Sequence, residues 1–353
     1  MVVIDGSRGE GGGQVLRTAL ALSVLTGRAM RIEHIRAGRK KPGLRPQHLT
    51  GVRAAAAVCG ACLEGAELGS QTLVFAPGGP AQPGEYSFDV ADAAQGGSAG
   101  SVGLVLQTVL LPLALAQGKS YLALQGGTHV PWAPSVSYLE HVFLPNLERM
   151  GVRAQIELAR WGFYPVGGGE LRVQITGQEE TLHPVLLTER GELQRVWGTA
   201  AVMNLPAHIP QRMAARARNV LAEAGLRAQI EPRRLRGAGP GAGIFLFAGY
   251  AHATAGFTAY GRKGLPAERV AETACQELLT HHRSDAPVDP HLADQLVLPM
   301  ALAGGESRVS TWRVSQHLLT NVWVVRQFLE RKIHVAGESG APGTVVVRGE
   351  ERD

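Results

Sequence analysis

The sequence predicts an α/β fold: a large domain of three repeated sheet-plus-two-helix units, with a small α/β domain inserted in the third. Two apolar segments carry this prediction, because residues 107–118 and 294–305 share one pattern in which Pro112 matches Pro299. A third, weaker copy begins at Arg17. Self-similarity along a chain is the sequence signature of a repeated supersecondary unit. We therefore expect each copy to form the first helix of one unit.

The same series of elements follows each copy. A strand-like segment comes first, then a second helix, then closing extended segments. The strand-like segments are Met30–Ile35, Tyr121–Gln125 and Arg308–Val314. The second helices are predicted from Pro46, over Ser135–Met150 and over Gln316–Leu329. The closing extended segments include Thr72–Phe75, Glu170–Ile175 and Thr344–Arg348. Such alternation is typical of mixed sheets with helices packed on them.

The spacing of the copies locates an insertion. Arg17 and Gln107 lie 90 residues apart, whereas Gln107 and Asp294 lie 187 apart, so the second interval has 97 extra residues. That excess is about the size of one small domain. The predicted boundaries are 1–182 and 283–353 for the large domain and 183–282 for the insert. Within the insert, the pattern predicts a helix over Ile209–Ala224, a strand over Ile244–Ala248 and a flexible surface connection at 237–243.

Composition excludes several classes of protein. With 45% hydrophobic and 18% charged residues among 353, the chain is globular and long enough for two domains. It has no uncharged apolar run long enough to span a membrane, and the early charge at Asp5 does not suit a signal peptide. We expect a cytoplasmic protein without a membrane partner. The net charge of +5 is compatible with a phosphate-rich partner, although codon bias toward arginine also explains it.

The cysteines leave two interpretations open. Cys59 and Cys62 have the spacing of a redox or zinc pair, but Cys275 is the only further cysteine in the sequence. A second pair would be needed to complete a structural zinc site of cysteines. We favour packing of small thiols in the core.

A glycine-rich run over 5–17 follows a short strand and opens a helix. Glycines allow backbone N–H groups to approach an anion at a helix N-terminus, so the run suits phosphate, while a tight strand–helix turn explains it equally well. It has neither the last glycine of a dinucleotide fingerprint nor the Gly-Lys-Ser/Thr of a phosphate-binding loop. Glu10 within the run favours a divalent metal between the carboxylate and a phosphate.

Two histidines occupy matching places in the first and third units. His48 and His317 each follow a glutamine at the start of a second helix. A helix cap explains one such histidine, but two in matching repeats favour catalysis. Asp294 could orient the His317 imidazole and leave its other nitrogen as a nucleophile, or it could be an ordinary charge at a helix N-terminus. His291 is a rival, although it has no counterpart in the first unit.

Four runs of residues, in order and over nearly the whole chain, resemble the RNA 3′-terminal phosphate cyclase family. They are 9–18, 36–49, 162–169, and 291–302 taken with 315–321. The resemblance implies the three-repeat fold with its insert. It also implies that His317 becomes linked to AMP, that Glu10 binds the metal, and that Asp294 and Gln295 adjoin the nucleophile. Residues expected to act around the phosphates are Arg17, Arg36, Arg39, Gln47 and His48. The expected adenosine pocket includes Gln107, Pro131 and Phe257.

The resemblance implies an enzyme that uses ATP with Mg²⁺ or Mn²⁺ to close an RNA 3′-phosphate into a 2′,3′-cyclic phosphate. A histidine–AMP intermediate and an RNA adenylate would lie on the path. The expected partner is RNA with a 3′-phosphate end, and a homodimer is one option for the oligomeric state. Two alternatives remain: a catalytically silent relative that binds RNA in rRNA processing, and an enzyme similar to the enolpyruvyl transferases. Few aromatic residues are available to read bases, so we expect little sequence preference.

Overall fold

The computed structural model describes residues 1–9, 12–94 and 98–349. These residues form four four-stranded sheets that mix parallel and antiparallel pairs, with helices packed against them. The predicted α/β class is therefore confirmed. Among the described helices, none combines the length and the apolar character that a bilayer crossing requires.

The first sheet carries two helices, and one of them opens with the end of the glycine-rich run. Its elements are β1 (Val2–Asp5), α1 (Gly13–Thr26), β2 (Met30–Glu33), α2 (Pro46–Cys59), β3 (Cys62–Glu64) and β4 (Leu73–Ala76). The strand order is β1-β2-β4-β3, in which β1 and β2 are parallel and the other pairs are antiparallel. Alternate residues of the strands are buried, as expected for a sheet covered on one face.

The second sheet repeats this pairing. Its elements are β5 (Glu85–Asp89), a 3₁₀ turn (Val90–Ala93), α3 (Val102–Ala114), β6 (Gly118–Gly126), α4 (Val136–Tyr138), a π turn (Leu139–Phe143), α5 (Leu144–Arg149), β7 (Arg153–Arg160) and β8 (Gly169–Gly177). The order is β5-β6-β8-β7, again with only the first pair parallel. The helix predicted over 135–150 is therefore interrupted. Pro145 cannot donate the next helical hydrogen bond, and the adjacent Leu144 N–H donates to Leu139 in a wider turn.

After a short strand, β9 (Leu186–Leu187), the chain forms a separate sheet with its own core. Its elements are β10 (Leu193–Met203), α6 (His208–Glu223), β11 (Ala228–Leu235), β12 (Gly241–Tyr250), β13 (Thr254–Tyr260) and α7 (Ala267–Arg283). The order is β11-β10-β12-β13, and α6 and α7 pack on this sheet around a separate hydrophobic cluster. The connection predicted at 237–243 belongs partly to β12. Gly239 in it is buried against Val166, and Gly241 lies against Phe163.

The chain then returns to complete the third sheet. Its remaining elements are α8 (Pro290–Gln295), α9 (Val297–Leu302), β14 (Ser307–Thr311), α10 (Gln316–Phe328), β15 (Lys332–Ala336) and β16 (Gly343–Arg348). The order β9-β14-β16-β15 has the same parallel first pair as the first two sheets. The leading strands β5 and β9 were absent from the prediction, because they have only five and two residues.

The cysteines are thiols in this fold. Cys59 and Cys275 are buried, as core packing predicts, whereas Cys62 is exposed on β3. Burial raises the pKa of the Cys275 thiol to about 12 and also raises the pKa of Cys59. Two protonated buried thiols are poor nucleophiles and poor metal ligands, so the core interpretation fits both.

Candidate active site

A cleft of about 790 Å³ lies where the N-termini of α1, α2 and α10 meet. Gly13 and Gln14 belong to the first helix, Gln47 and His48 to the second, and His317 to the third. Each helix N-terminus presents the positive end of its dipole. Three such ends around one cavity favour an anionic ligand.

Four arginines line the cleft, and no acidic residue is among its described lining residues. They are Arg17, Arg36, Arg39 and Arg45. Burial lowers the pKa of Arg17 to about 10, with Asp294 opposing that shift, so its guanidinium remains charged at neutral pH. The charge and shape of the lining suit a polyphosphate.

Arg36 also builds the turn that carries the other arginines. Its backbone adopts a left-handed conformation with φ 57°, and its guanidinium donates to the carbonyls of Lys41 and Gly43 at 2.7 and 3.0 Å. Burial, together with the neighbouring charges of Arg45 and Arg39, lowers the pKa of Arg36. Packing like charges together costs stability, and a bound anion would offset that cost.

Gln14 joins His317 to Asp294. Its Oε1 lies 2.5 Å from Nδ1 of His317, and its Nε2 lies 3.5 Å from Oδ1 of Asp294. Because a carboxylate accepts hydrogen bonds, the amide NH₂ of Gln14 faces Asp294 and its carbonyl oxygen faces His317. That oxygen cannot donate, so the His317 Nδ1 carries the proton and donates it. The lone pair of the neutral imidazole then lies on Nε2.

Further hydrogen bonds hold these helices together. Asn321, one turn after His317, donates to the carbonyl of Asp294 at 2.9 Å and accepts from the Thr18 hydroxyl at 2.6 Å. The Ser315 hydroxyl caps α10 by accepting from Leu318 N–H. The orientation of His317 is therefore fixed by groups on three helices, α1, α8 and α10.

His48 is a neutral hydrogen-bond donor. Its Nδ1 accepts from the backbone N–H of Arg45 at 3.2 Å, which leaves the proton on Nε2. Burial and the nearby charges of Arg36, Arg17 and Arg45 lower the pKa of His48 to about 3. A Cβ on Gly13 would lie 2.2 Å from this Nε2, so only glycine allows the imidazole to approach the start of α1 so closely. A nitrogen that carries its proton in this way cannot attack phosphorus.

The other predicted site residues are divided between the cleft and its surroundings. Gln47 lines the cleft and accepts from Ser101 N–H at 2.9 Å, and Pro131 also lines it. Gln107 donates to Gln295 at 3.1 Å, and neither residue is among the described residues that line the cavity. Phe257 does not join them, because β13 places it in the core of the fourth sheet beside His281.

The remaining predicted residues are His291 and Glu10. His291 lies at the start of α8, where its backbone N–H donates to the Asp289 carboxylate at 2.9 Å. Glu10, the predicted metal ligand, lies outside the described residues. Among those that are described, no group of three or more His, Cys, Asp or Glu side chains is placed to hold a metal ion.

Sequence reasoning missed four residues of the cleft. Gln14 had no charge to attract attention, and Arg45 was counted only as part of a basic turn. Trp132 is 93% exposed at the cleft, with a left-handed φ of 64°, and Tyr164 is 52% exposed. The exposure and the left-handed backbone of Trp132 mark it as a candidate functional residue, but both are visible only in the structure.

Comparison with known proteins identifies the family. The sequence model described as RNA 3′-terminal phosphate cyclase matches residues 8–335. The RNA 3′-terminal phosphate cyclase of Methylococcus capsulatus is 57% identical over 98% of this chain and 96% of its own. The chain belongs to the RNA 3′-terminal phosphate cyclase family. Relatives of the same name from Nostoc punctiforme and Thermococcus onnurineus are 56% and 45% identical over 95% and 99% of this chain.

Family membership favours the cyclase prediction over the enolpyruvyl-transferase alternative. One solved structure, the enolpyruvyl transferase NikO from Streptomyces tendae, matches 99% of this chain and 48% of its own length. Its identity is 13% and its TM-score is 0.41, values too low to support a conclusion about this cyclase-family chain.

Proposed function

We propose that this protein uses ATP to convert an RNA 3′-phosphate into a 2′,3′-cyclic phosphate through a covalent AMP adduct of His317. The observation that supports it most is the Asp294–Gln14–His317 series at the edge of an arginine-lined cleft. It orients an imidazole with its lone pair on Nε2 beside a site for phosphates.

In the first step, Nε2 of His317 attacks the α-phosphorus of ATP. An N–P bond forms, the bond between Pα and the bridging oxygen breaks, and pyrophosphate leaves. The ring keeps its Nδ1 proton and becomes cationic, so the Gln14 carbonyl accepts a charge-assisted hydrogen bond. Arg17, Arg39 and the helix N-termini neutralise the phosphates, which is the main contribution that a protein makes to phosphoryl transfer.

In the second step, an oxygen of the RNA 3′-phosphate attacks the AMP phosphorus. The N–P bond breaks, His317 is regenerated, and a phosphoanhydride joins RNA to AMP. The adjacent 2′-hydroxyl then attacks the RNA phosphorus, loses its proton to solvent, and expels AMP. Positioning alone favours such a ring closure, because the two groups are already on one ribose. DNA has no 2′-hydroxyl and cannot complete this last step.

A divalent ion remains part of the proposal through Glu10. The described residues do not supply a ligand set for it, so no step above is assigned to the metal. A hard cation between Glu10 and the phosphates would neutralise developing charge. The homodimer and the cytoplasmic location also stay predictions.

We further propose that the fold arises from three copies of one unit with an insert in the third. Three sheets with the same strand order and the same parallel first pair support the repeats. The separate core of the fourth sheet supports an independent insert. The pairing of Leu186–Leu187 with β14 of the third sheet supports an insert that begins after Leu187, a few residues later than the predicted start at 183.

The proposal is tested with an RNA oligonucleotide that ends in a 3′-phosphate. We expect ATP-dependent conversion to a 2′,3′-cyclic phosphate, which phosphatase no longer removes. A matched DNA 3′-phosphate should stop at the adenylate. RNA binding without conversion, by folded protein supplied with ATP and Mg²⁺ or Mn²⁺, would instead support the silent RNA-binding alternative.

A further inference from the structure

A second cavity, of about 550 Å³, lies on the third sheet and shares no lining residue with the active-site cleft. Five cationic side chains and one histidine line it, and no described acidic residue does. The cations are Arg308, Arg326, Arg331, Lys332 and Arg348. We refer to this cavity as the basic groove.

The strands place these charges on the face that the helices leave uncovered. Val309, Val345 and Val347 are buried, so the residues that alternate with them, including Arg308 and Arg348, point away from the core. At the edge of the sheet, Arg326 and Arg331 donate to the backbone carbonyls of Ile333 and Ala301. A neutral carbonyl orients a guanidinium without cancelling its charge.

Cross-strand pairing shows that the positive charge is costly to the fold. Lys332 and Arg348 are directly opposite one another on β15 and β16, and like charges in that arrangement are destabilising. Glu306 offsets part of the charge by bonding both Arg308 and Arg348. The other three cations of the groove do not bond to Glu306.

The second sheet provides an internal comparison, because it has the same strand order. There the directly opposed charges have opposite signs, as in Glu157 with Arg172 and Arg160 with Glu170. The outer face of that sheet also carries Glu85. A basic outer face is therefore not a general property of these sheets or of a chain whose net charge is only +5.

We propose that the basic groove binds the phosphodiester backbone of an RNA whose 3′ end lies in the active-site cleft. The inference rests on the proposed function, since it takes RNA as the partner. The groove and His317 lie at opposite ends of one sheet-and-helix unit, since Arg326 of the groove stands nine residues after His317 on α10. A row of cations around the apolar Val346 suits a repeating anion and selects no base sequence.

The test measures binding by fluorescence anisotropy, without ATP and without turnover. The variant is Lys332→Gln with Arg348→Gln, and the matched control is Lys119→Gln with Arg153→Gln. The control removes two exposed cations that flank Thr176 in the second sheet. For an RNA of about 20 nucleotides, we expect affinity to fall roughly 10-fold in the groove variant and the salt slope to become shallower by roughly 1.4 to 2. The control should bind like the wild type.

Two further readouts separate this role from a structural one. A trinucleotide 3′-phosphate, too short to leave the cleft, should bind both variants like the wild type. The groove variant should melt close to the wild type, because loss of the like-charge pair offsets loss of the exposed Glu306–Arg348 ion pair.

Several outcomes would overturn the inference. One is unchanged RNA affinity in the groove variant, and another is an equal loss in the control. Loss of binding to phosphatidylserine vesicles with RNA binding retained would assign the groove to a membrane surface instead. Failure of the cyclase proposal looks different, because ATP would then leave the wild type unlabelled whatever the anisotropy shows.

Discussion

Replacing Gln14 with leucine isolates the hydrogen bond that orients His317. Leucine has a similar size but no acceptor for the Nδ1 proton. When Nε2 bonds to phosphorus the ring is cationic, so the transition state loses a charge-assisted hydrogen bond of about 1.5–3 kcal/mol. Since about 1.4 kcal/mol corresponds to a factor of ten, adenylylation should slow roughly 10- to 150-fold. Asp294 would remain but could no longer act on the imidazole through the amide.

The assay is single-turnover labelling with α-³²P-ATP in the absence of RNA. Gln316→Leu is the matched control, because Gln316 adjoins His317 on the same helix but donates to the exposed Ser339 hydroxyl. We expect the control to label within about twofold of the wild-type rate, since an exposed hydrogen bond contributes little. A Gln14→Leu rate within threefold of wild type, or an equal loss in the control, would refute the role of Gln14.

Three further predictions concern binding, stability and charge. Trp132→Ala should raise the KM for RNA roughly 5- to 150-fold, because base stacking is lost, and should leave ATP labelling unchanged. The control is Tyr121→Ala, which removes an exposed aromatic side chain on β6. Equal effects of the two substitutions would contradict a stacking role for Trp132. His281 is fully buried, its two ring nitrogens have no hydrogen-bond partner among the described residues, and burial lowers its pKa to about 3. In urea unfolding at pH 7.5, the free energy of unfolding of His281→Leu should exceed that of the wild type by about 1–2 kcal/mol. Below pH 6.5 the unfolded wild-type chain gains a proton at His281 that the folded chain does not. The difference between the two proteins should therefore grow by up to about 1.4 kcal/mol per pH unit toward pH 5. A destabilised variant would contradict this. Arg17→Met should lower the labelling rate about 100-fold with an unchanged melting temperature, and Arg17→Lys should recover only part of it; full activity of the methionine variant would exclude a phosphate role.

Much of the fold could be predicted because apolar periodicity and spacing are local signals. The helix at Pro46 and the helix at Gln316 begin where the sequence indicates, since proline and a capping serine mark their starts. The leading strands were missed because Leu186–Leu187 has only two residues and Glu85–Asp89 only five, none of them fully buried. Their strand character comes from pairing with distant segments, which the local sequence does not encode.

The repeat pattern also predicted part of the site. Matching positions in the repeats identified His48 and His317, and both line the cleft. The sequence did not show which ring nitrogen carries the proton in each histidine, because that depends on the Arg45 backbone N–H and on the Gln14 carbonyl. Those partners are far from the two histidines in sequence or belong to the backbone, so only the folded chain reveals them.

The adenosine pocket was the least predictable part. The family resemblance implied Phe257 there, whereas β13 places it in the core of the fourth sheet. Gln107 was expected there too, and it instead donates to Gln295. Trp132 and Tyr164 supply exposed aromatic surface at the cleft.

The most direct test of the central proposal is to incubate wild type and His317→Ala with α-³²P-ATP and Mg²⁺, and to separate them on a denaturing gel. We predict an acid-labile label on the wild type and none on the folded variant, because the N–P bond requires the His317 imidazole. Label that persists on His317→Ala would contradict the account and move the nucleophile elsewhere. An unlabelled wild type, with folding verified, would contradict the covalent mechanism altogether.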